Sequence, residues 1–130
     1  MTDIKALAPG GVAVITGAAD GIGLAVAEAL AAKGMKICLA DINPDMLAQA
    51  QSKVSAISDA DSVITHTVDV SDLSQVQALQ QAVYEKFGSV AVLMNNAGAS
   101  FKSSAWQEYE NWQRTLQVNL WGVINCVQTF

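Results

Sequence analysis

The sequence predicts an α/β protein built on a parallel sheet. Three observations carry that prediction: four apolar runs of strand length, a stretch of helical periodicity after each, and turn or capping residues at the junctions. Connections of this length between parallel strands are right-handed crossovers. The 130 residues are the size of one domain, long enough to bury a real core and short for a two-domain enzyme.

Each element follows in order. Val12–Thr16 (VAVIT) is a continuous β-branched run, the signature of a strand covered on both faces. From Gly21 the period changes to helical, with Ile22, Val26, Ala29 and Leu30 as the expected inner face and Gly34 where a C-cap belongs. Lys36–Asp41 (KICLAD) reads as a second strand. Asn43 then offers an N-cap, Pro44 the first helical position and Asp45 the first turn of a second helix, whose inner face is Leu47, Ala50, Val54 and Ile57 and which ends in the polar loop SDADS. Val63–Val70 (VITHTVDV) is the third strand. Ser71 and Asp72 are the cap and first turn of a third helix facing inward through Val76, Leu79 and Val83 and ended by Gly88. Val90–Met94 is the fourth strand, running into two asparagines and a glycine. Trp106–Gln113 reads as a short amphipathic helix. Leu116–Phe130 is apolar on most sides, which predicts a buried helix.

Composition excludes several classes of function. Apolar residues make up 52% of the chain, yet no run approaches the roughly 18 that a membrane span needs. Lys+Arg 7 against Asp+Glu 12 gives a net charge of -5, so the basic footprint that nucleic acid requires is missing. Neither nucleic acid nor membrane is an expected partner. The opening segment MTDIKALAPGG has no apolar core of secretory-signal length, and a cytoplasmic location is expected. Cys38 and Cys126 have no metal-ligand spacing around them and read as reduced core thiols, so no metal site is expected. The three tryptophans, Trp106, Trp112 and Trp121, fall on the last two helices, where packing or interface area is the simplest use for them.

The glycine-rich turn TGAADGIG carries the functional reading. Gly17, Gly21 and Gly23 lie between the first strand and the first helix, where small residues permit a tight turn and let backbone N–H groups approach a pyrophosphate. The spacing is Gly-x-x-x-Gly-x-Gly, and no Gly-Lys-Ser/Thr follows, which disfavours a nucleoside-triphosphate loop. Asp41 ends the second strand, placed to accept hydrogen bonds from an adenosine ribose diol. Asp69 stands at the end of the third strand and Asn96 after the fourth, so three strand ends carry polar groups on the edge where open parallel sheets bind ligands. Beside Asp41, Ile42 offers no cation to a 2′-phosphate, and Asp20 adds negative charge in the glycine turn. A dinucleotide with a free ribose diol is therefore expected over one that carries a 2′-phosphate.

These residues resemble the short-chain dehydrogenase/reductase family over essentially the whole chain. Thr16–Gly23 is similar to its glycine motif, Asp69–Val70 to its adenine-contacting pair, and Asn95–Gly98 (NNAG) to its motif after the fourth strand. VNLWG, Val118–Gly122, resembles the segment with the family's active-site asparagine, here Asn119. The resemblance implies a Rossmann-like doubly wound sheet in the order 3-2-1-4, truncated before the later strands, a nicotinamide cofactor, and hydride transfer between an alcohol and a carbonyl; with Asp41, Asp20 and Ile42 as read above, the expected cofactor is NAD(H) over NADP(H). It also implies cofactor contacts from Gly17, Asp20, Gly21, Ile22, Gly23, Asp41, Ile42, Asp69, Val70, Asn96, Ala97 and Gly98, with Asn119 in proton relay and helix positioning.

One departure is specific. The family's catalytic serine and Tyr-x-x-x-Lys pair lie beyond the segment matched by Asn119; Tyr84 is followed four places on by Gly88, and Tyr109 by Gln113. That spacing on a helix sets lysine beside tyrosine and lowers the phenol pKa for acid/base work. His66, the only histidine, reads as a strand side chain and not as a substitute base. The expectation is a cofactor-binding half, inactive alone. The alternatives are a non-catalytic dinucleotide-binding or oligomerising module, or half of a split enzyme completed in trans. A homo-oligomer through the fourth strand and last helix is expected, because both present apolar surface with nothing left in the sequence to cover it.

Overall fold

Val12–Thr16 forms strand β1 at the centre of the molecule, and all five of its residues are buried because neither face of the strand meets water. The computed structural model describes residues 3–102, 104 and 108–130. Helix α1 (Gly21–Ala32) follows, then β2 (Lys36–Asp41), α2 (Pro44–Ile57), β3 (Val63–Thr67), α3 (Leu73–Phe87) and β4 (Val92–Met94). Helix α4 (Tyr109–Leu116), a π-helical turn (Gln117–Trp121) and α5 (Gly122–Thr129) complete the order. The sheet runs β3-β2-β1-β4 with every pairing parallel, β1 opposing β2 from Val12↔Lys36 to Thr16↔Ala40.

Alternation along the strands divides the core into two layers. Ala13, Ile15, Ile37 and Leu39 pack on one face against Ala27 and Leu30 of α1 and Leu47, Ala50 and Val54 of α2. Val12, Val14, Cys38 and Ala40 pack on the other against Val76, Leu79 and Val83 of α3 and Cys126 of α5. Helices thus cover both faces, the doubly wound arrangement. No helix among the described residues is long and apolar enough to cross a membrane.

Local chemistry sets the boundaries. The Asn43 carboxamide oxygen accepts from the N–H groups of Asp45 and Met46, and Pro44 takes the first helical position, where a missing N–H costs nothing. Gly88 closes α3 in the left-handed conformation at φ 81°.

Several expectations need correction. The N-cap of α3 is Asp72, accepting from Ser74 N–H, and Ser71 precedes it. Strand β3 ends at Thr67 because its partner β2 ends at Asp41, although Val68 N–H still donates to Asp41 C=O at 2.9 Å. Pairing of β4 starts only at Ala13↔Val92; Val90 lies before it and packs beside the α3 layer. The inner face of α1 is Gly23, Ala27, Leu30 and Ala31, while Ile22 is 71% exposed and Ala29 is exposed. Close helix–strand packing selects small residues at Gly23, Ala27 and Ala31, with Leu30 the one large side chain on that face. Ile57, at the last turn of α2, also faces solvent.

The last helices differ most. The short helix starts at Tyr109, and Trp106 lies outside the described residues. The expected buried helix from Leu116 to Phe130 is instead a π-helical turn leading into α5, and only Gly122 and Cys126 of α5 are buried. Leu116, Leu120, Trp121 and Val127 remain about half exposed or more, so apolarity on all sides does not mean burial here. Trp112 is exposed as well, which rules out a core role for it and for Trp121.

Candidate functional site

The carboxyl ends of β1, β2 and β4 and the loop after β3 converge on a cleft of about 620 Å³. From the turn after β1 it is lined by Gly17, Asp20, Gly21 and Ile22, and from the end of β2 by Asp41 and Ile42. Asp69 and Val70 line it beyond β3, and Asn96, Ala97 and Gly98 beyond β4. Gly23 and Asn119 stand outside its lining.

The glycines shape the turn by close approach. Gly17 has φ 63°, and a Cβ there would lie 2.9 Å from Ala97 Cα, so the turns after β1 and β4 touch backbone to backbone. A Cβ on Gly23 would lie 2.5 Å from Gly17 C=O; its absence lets the first turn of α1 sit directly on the loop. Gly21, at φ 54° with open space around it, serves conformation alone.

The N-terminus of α1 is uncapped where it meets the cleft. Asp20 occupies the N-cap position without a side-chain hydrogen bond, whereas Asn43 and Asp72 cap α2 and α3. The first intrahelical bond is Leu24 N–H to Asp20 C=O, so the N–H groups of the turn before it have no helical acceptor. Free N–H groups and the positive end of a helix dipole suit an anion such as a pyrophosphate.

Asp41 is fixed by both oxygens. Oδ2 accepts from Ala19 N–H and Oδ1 from Asn43 N–H, each at 3.1 Å, and each oxygen keeps a further lone pair for a hydroxyl. Asp69 is held by Ser71, whose N–H and hydroxyl both donate to Oδ1 at 3.0 and 2.6 Å.

Asn96 is braced rather than free. Its amide donates to the carbonyls of Thr16 and Gly17, and its backbone N–H donates to Thr16 Oγ1. Thr16 Oγ1 also accepts from Ala97 N–H at 3.0 Å, making this buried hydroxyl the junction of β1 and β4. Sequence reading passed over Thr16, since a threonine ending an apolar run looks like one more β-branched strand residue.

Asn119 lies on the π-helical turn with its amide turned to the loop after β4. Oδ1 accepts from Ala99 N–H and Nδ2 donates to Ala99 C=O. Helix α5 is seated by Gly122, where a Cβ would lie 2.6 Å from Val70 Cγ2, and by Asn125 donating to Val70 C=O at 2.9 Å.

Eight lining residues were not anticipated: Ala40, Val68, Ser71, Ala99, Phe101, Arg114, Gln117 and Val118. Arg114, Gln117 and Val118 share one helical face by their spacing, a signal available in the sequence. Phe101 sits in a stretch without periodicity and gave none. His66 stays in β3 opposite Ala40, outside the cleft, and partial burial pushes its pKa below the ordinary value. Cys38 and Cys126 are free, buried thiols, and desolvation pushes Cys38 up to about 12.

The sequence profile described as short chain dehydrogenase matches residues 11–130. The chain belongs to the short-chain dehydrogenase family. Human 15-hydroxyprostaglandin dehydrogenase (NAD(+)) is 37% identical over 116 residues, covering 89% of this chain and 41% of that protein. Galactitol 2-dehydrogenase of Agrobacterium fabrum is 42% identical over 113 residues, covering 85% and 42%. Among solved structures, a short-chain dehydrogenase/reductase from Burkholderia phymatum in complex with NAD superposes with a TM-score of 0.88 at 41% identity, covering 94% of this chain and 43% of that one. This short-chain dehydrogenase chain spans less than half the length of these relatives.

Proposed function

We propose that residues 1–130 form the dinucleotide-binding domain of an oxidoreductase that moves hydride between an alcohol and a carbonyl. The observation that carries the reading is the uncapped N-terminus of α1 opening on the same cleft as the Asp41 carboxylate. A pyrophosphate fits the first and a ribose diol the second. Relatives named for NAD and a neighbour in complex with NAD support it.

NAD(H) is the preferred form in this reading. Asp41 and Asp20 oppose a 2′-phosphate, and Ile42 brings no cation to it. Two unit charges at about 4 Å interact by roughly 4 kcal/mol at an effective dielectric of 20, so a tenfold preference survives substantial screening. When bound, the nicotinamide supplies the hydride acceptor or donor; the residues here hold the adenosine and pyrophosphate. No Tyr-x-x-x-Lys occurs in the 130 residues, so the proposal assigns them binding without turnover. A non-catalytic module and half of a split enzyme share that property. Cytoplasmic residence belongs to the same proposal.

Calorimetric titration of the 130-residue chain with NAD+, NADH and NADP+ is the test. Tighter binding of the NAD forms, with no reduction or oxidation of simple alcohols or ketones, is the expected result. Absence of any dinucleotide binding by the folded chain would refute the domain assignment.

Self-association completes the proposal. Within the described sheet β4 pairs on one side only, with β1, and Leu116, Leu120 and Val127 present exposed apolar area at helical spacing. A second copy covering β4 and the last helix removes both from water. Val127→Asp should shift sedimentation toward monomer, and a chain that is monomeric without the substitution overturns this part. Val123, half-buried, is the poorer position to change.

A further inference from the structure

Among the described residues that line the cleft Arg114 is the one cation, and the other charged walls are Asp20, Asp41 and Asp69. Its guanidinium lies 3.9 Å from the centroid of the Phe101 ring. That distance is face contact, so Phe101 backs the guanidinium and restricts its plane.

The position of Arg114 along the cleft follows from its helix. Arg114, Gln117 and Val118 occupy one face by their i, i+3, i+4 spacing. Gln117 Nε2 donates to Ser71 C=O in a long bond of 3.5 Å, and Val118 packs in the same layer as Val70. This face therefore looks toward the loop after β3. Strand β3 is two strands removed from β1, about 10 Å at the spacing of paired strands, and it is β1 that leads into the anion-binding start of α1. Arg114 lines the cleft one turn before Gln117 and Val118, with Phe101 from the segment after β4 against its guanidinium. The cleft wall on the β2–β3 side is apolar, with Ile42, 65% exposed, after β2, Val70 in the loop after β3 and Val118 on the same helical face as Arg114.

We propose that Arg114, backed by Phe101, stacks on the nucleobase of the bound dinucleotide and so sets affinity for the base end of the cofactor. The proposal rests on the dinucleotide reading of the cleft. A planar cation suits this place because adenine offers a π face between apolar walls, and an ammonium on a flexible stem would supply charge without the plane. Charge alone would favour the pyrophosphate, which the first turn of α1 already serves.

The experiment measures ADP-ribose and nicotinamide mononucleotide binding to the 130-residue chain, with Arg114→Lys, Arg114→Gln and Phe101→Leu, at low and high salt. Arg114 is exposed, so its variants should keep the unfolding midpoint and serve as folded comparisons. Both Arg114 variants should weaken ADP-ribose by about 2- to 30-fold, the loss persisting at high salt, while nicotinamide mononucleotide is unaffected. Phe101→Leu should show part of the same loss. Recovery of full affinity in Arg114→Lys, or a loss that vanishes at high salt, would mean an ionic contact to phosphate and overturn stacking. Unchanged ADP-ribose affinity in both Arg114 variants overturns it as well. Failure of the folded parent chain to bind ADP-ribose at all would instead sink the dinucleotide reading beneath it.

Discussion

The side chain of Asn119 and the backbone of Ala99 exchange two hydrogen bonds of 2.8 Å, one in each direction. The pair imitates a β-bridge between a helix and a loop, with the carboxamide in place of a second strand. It ties the segment after β4 to the π-helical turn, a local geometry often found at functional sites. Both polar atoms of Asn119 are engaged in this bridge. Its structural work is therefore to position the loop that carries Ala99 and Phe101 into the cleft.

Asn119→Ala should release that loop. Two exchanged bonds contribute about 1 to 3 kcal/mol at most, and exposure of Asn119 to water puts the expected loss near the lower end. Hydrogen exchange at the Ala99 amide is the sharper readout and should accelerate more than exchange at β1 amides. Asn119→Asp keeps an acceptor for Ala99 N–H but turns a carboxylate oxygen against Ala99 C=O, so it should exchange at least as fast as the alanine variant. Unaltered protection at Ala99 in both variants would show that the loop is held by something else.

Thr16 gives a contrast between two conservative changes. Thr16→Val keeps the shape and removes the hydroxyl that accepts from Asn96 N–H and Ala97 N–H. Asn96 N–H retains Met94 C=O at 3.1 Å, so the uncompensated group is chiefly Ala97 N–H. A destabilisation of about 1 to 3 kcal/mol is expected. Thr16→Ser keeps the hydroxyl and loses one buried methyl, about 1 kcal/mol. Urea unfolding midpoints should rank parent, Ser, then Val; a valine variant as stable as the serine one would remove Thr16 from the junction.

The strands and both well-capped helices were readable because their signals are local. An all-apolar run such as VAVIT can only be buried on both faces, and Asn43-Pro44 can hardly be anything but a helix start. The strand-end positions of Asp41, Asp69 and Asn96 were readable for the same reason: a strand's end fixes which edge of the sheet a residue reaches. The face of α1 was not, because Gly23, Ala27 and Ala31 are selected by smallness at a close contact, which hydrophobic periodicity does not register. Arg114, Phe101 and Gln117 reach the cleft from a helix and loop whose placement depends on Asn119 and Asn125 gripping backbone, and Gly122 closing on the Val70 side chain, far away in sequence. No local pattern encodes such grips.

Gly23 and Gly21 separate packing from conformation. Gly23→Ala sets a methyl against Gly17 C=O at 2.5 Å, a backbone atom that moves only if the turn moves. Overpacking of this kind costs about 1 to 3 kcal/mol or more, and dinucleotide affinity should fall with it. Gly21→Ala meets nothing within 4 Å and suffers only the left-handed backbone penalty, about 1 to 2 kcal/mol. Thermal unfolding and calorimetric titration of both variants check the order. A Gly23→Ala variant that keeps parent stability and affinity would show that the turn is softer than this geometry implies.

Cys38 should make stability fall at high pH. Burial raises its pKa from 9.0 to about 12, so the folded state keeps the neutral thiol while the unfolded chain ionises. The contribution is intact below 9.0 and is lost as pH rises toward about 12. Cys126, raised by burial too, adds in the same direction. Cys38→Val, apolar and unable to ionise, should flatten the decline in urea midpoints measured across that window. An identical slope in parent and variant would assign the decline to other groups.

Asp41 should govern the choice between the two dinucleotides. Asp41→Asn removes the charge that opposes a 2′-phosphate while keeping the side chain's shape. It does so at a cost, because a carboxamide has one oxygen and cannot accept from both Ala19 N–H and Asn43 N–H as the carboxylate does. Affinity for NAD+ should therefore drop by a few-fold, equivalent to part of a hydrogen bond worth about 1 kcal/mol. NADP+ loses the same bond but gains relief from a repulsion of roughly 4 kcal/mol before screening, of which the half-buried position of Asp41 leaves about 1.4 kcal/mol or more. The ratio of NADP+ to NAD+ affinity should rise by about tenfold or more, and Ile42→Arg in the same chain should raise it further by adding a cation beside the phosphate. Since both ligands suffer equally from any general weakening, the ratio isolates the charge. A ratio unchanged by Asp41→Asn would mean that the carboxylate serves the turn alone, and that preference between the cofactors is set elsewhere in the cleft.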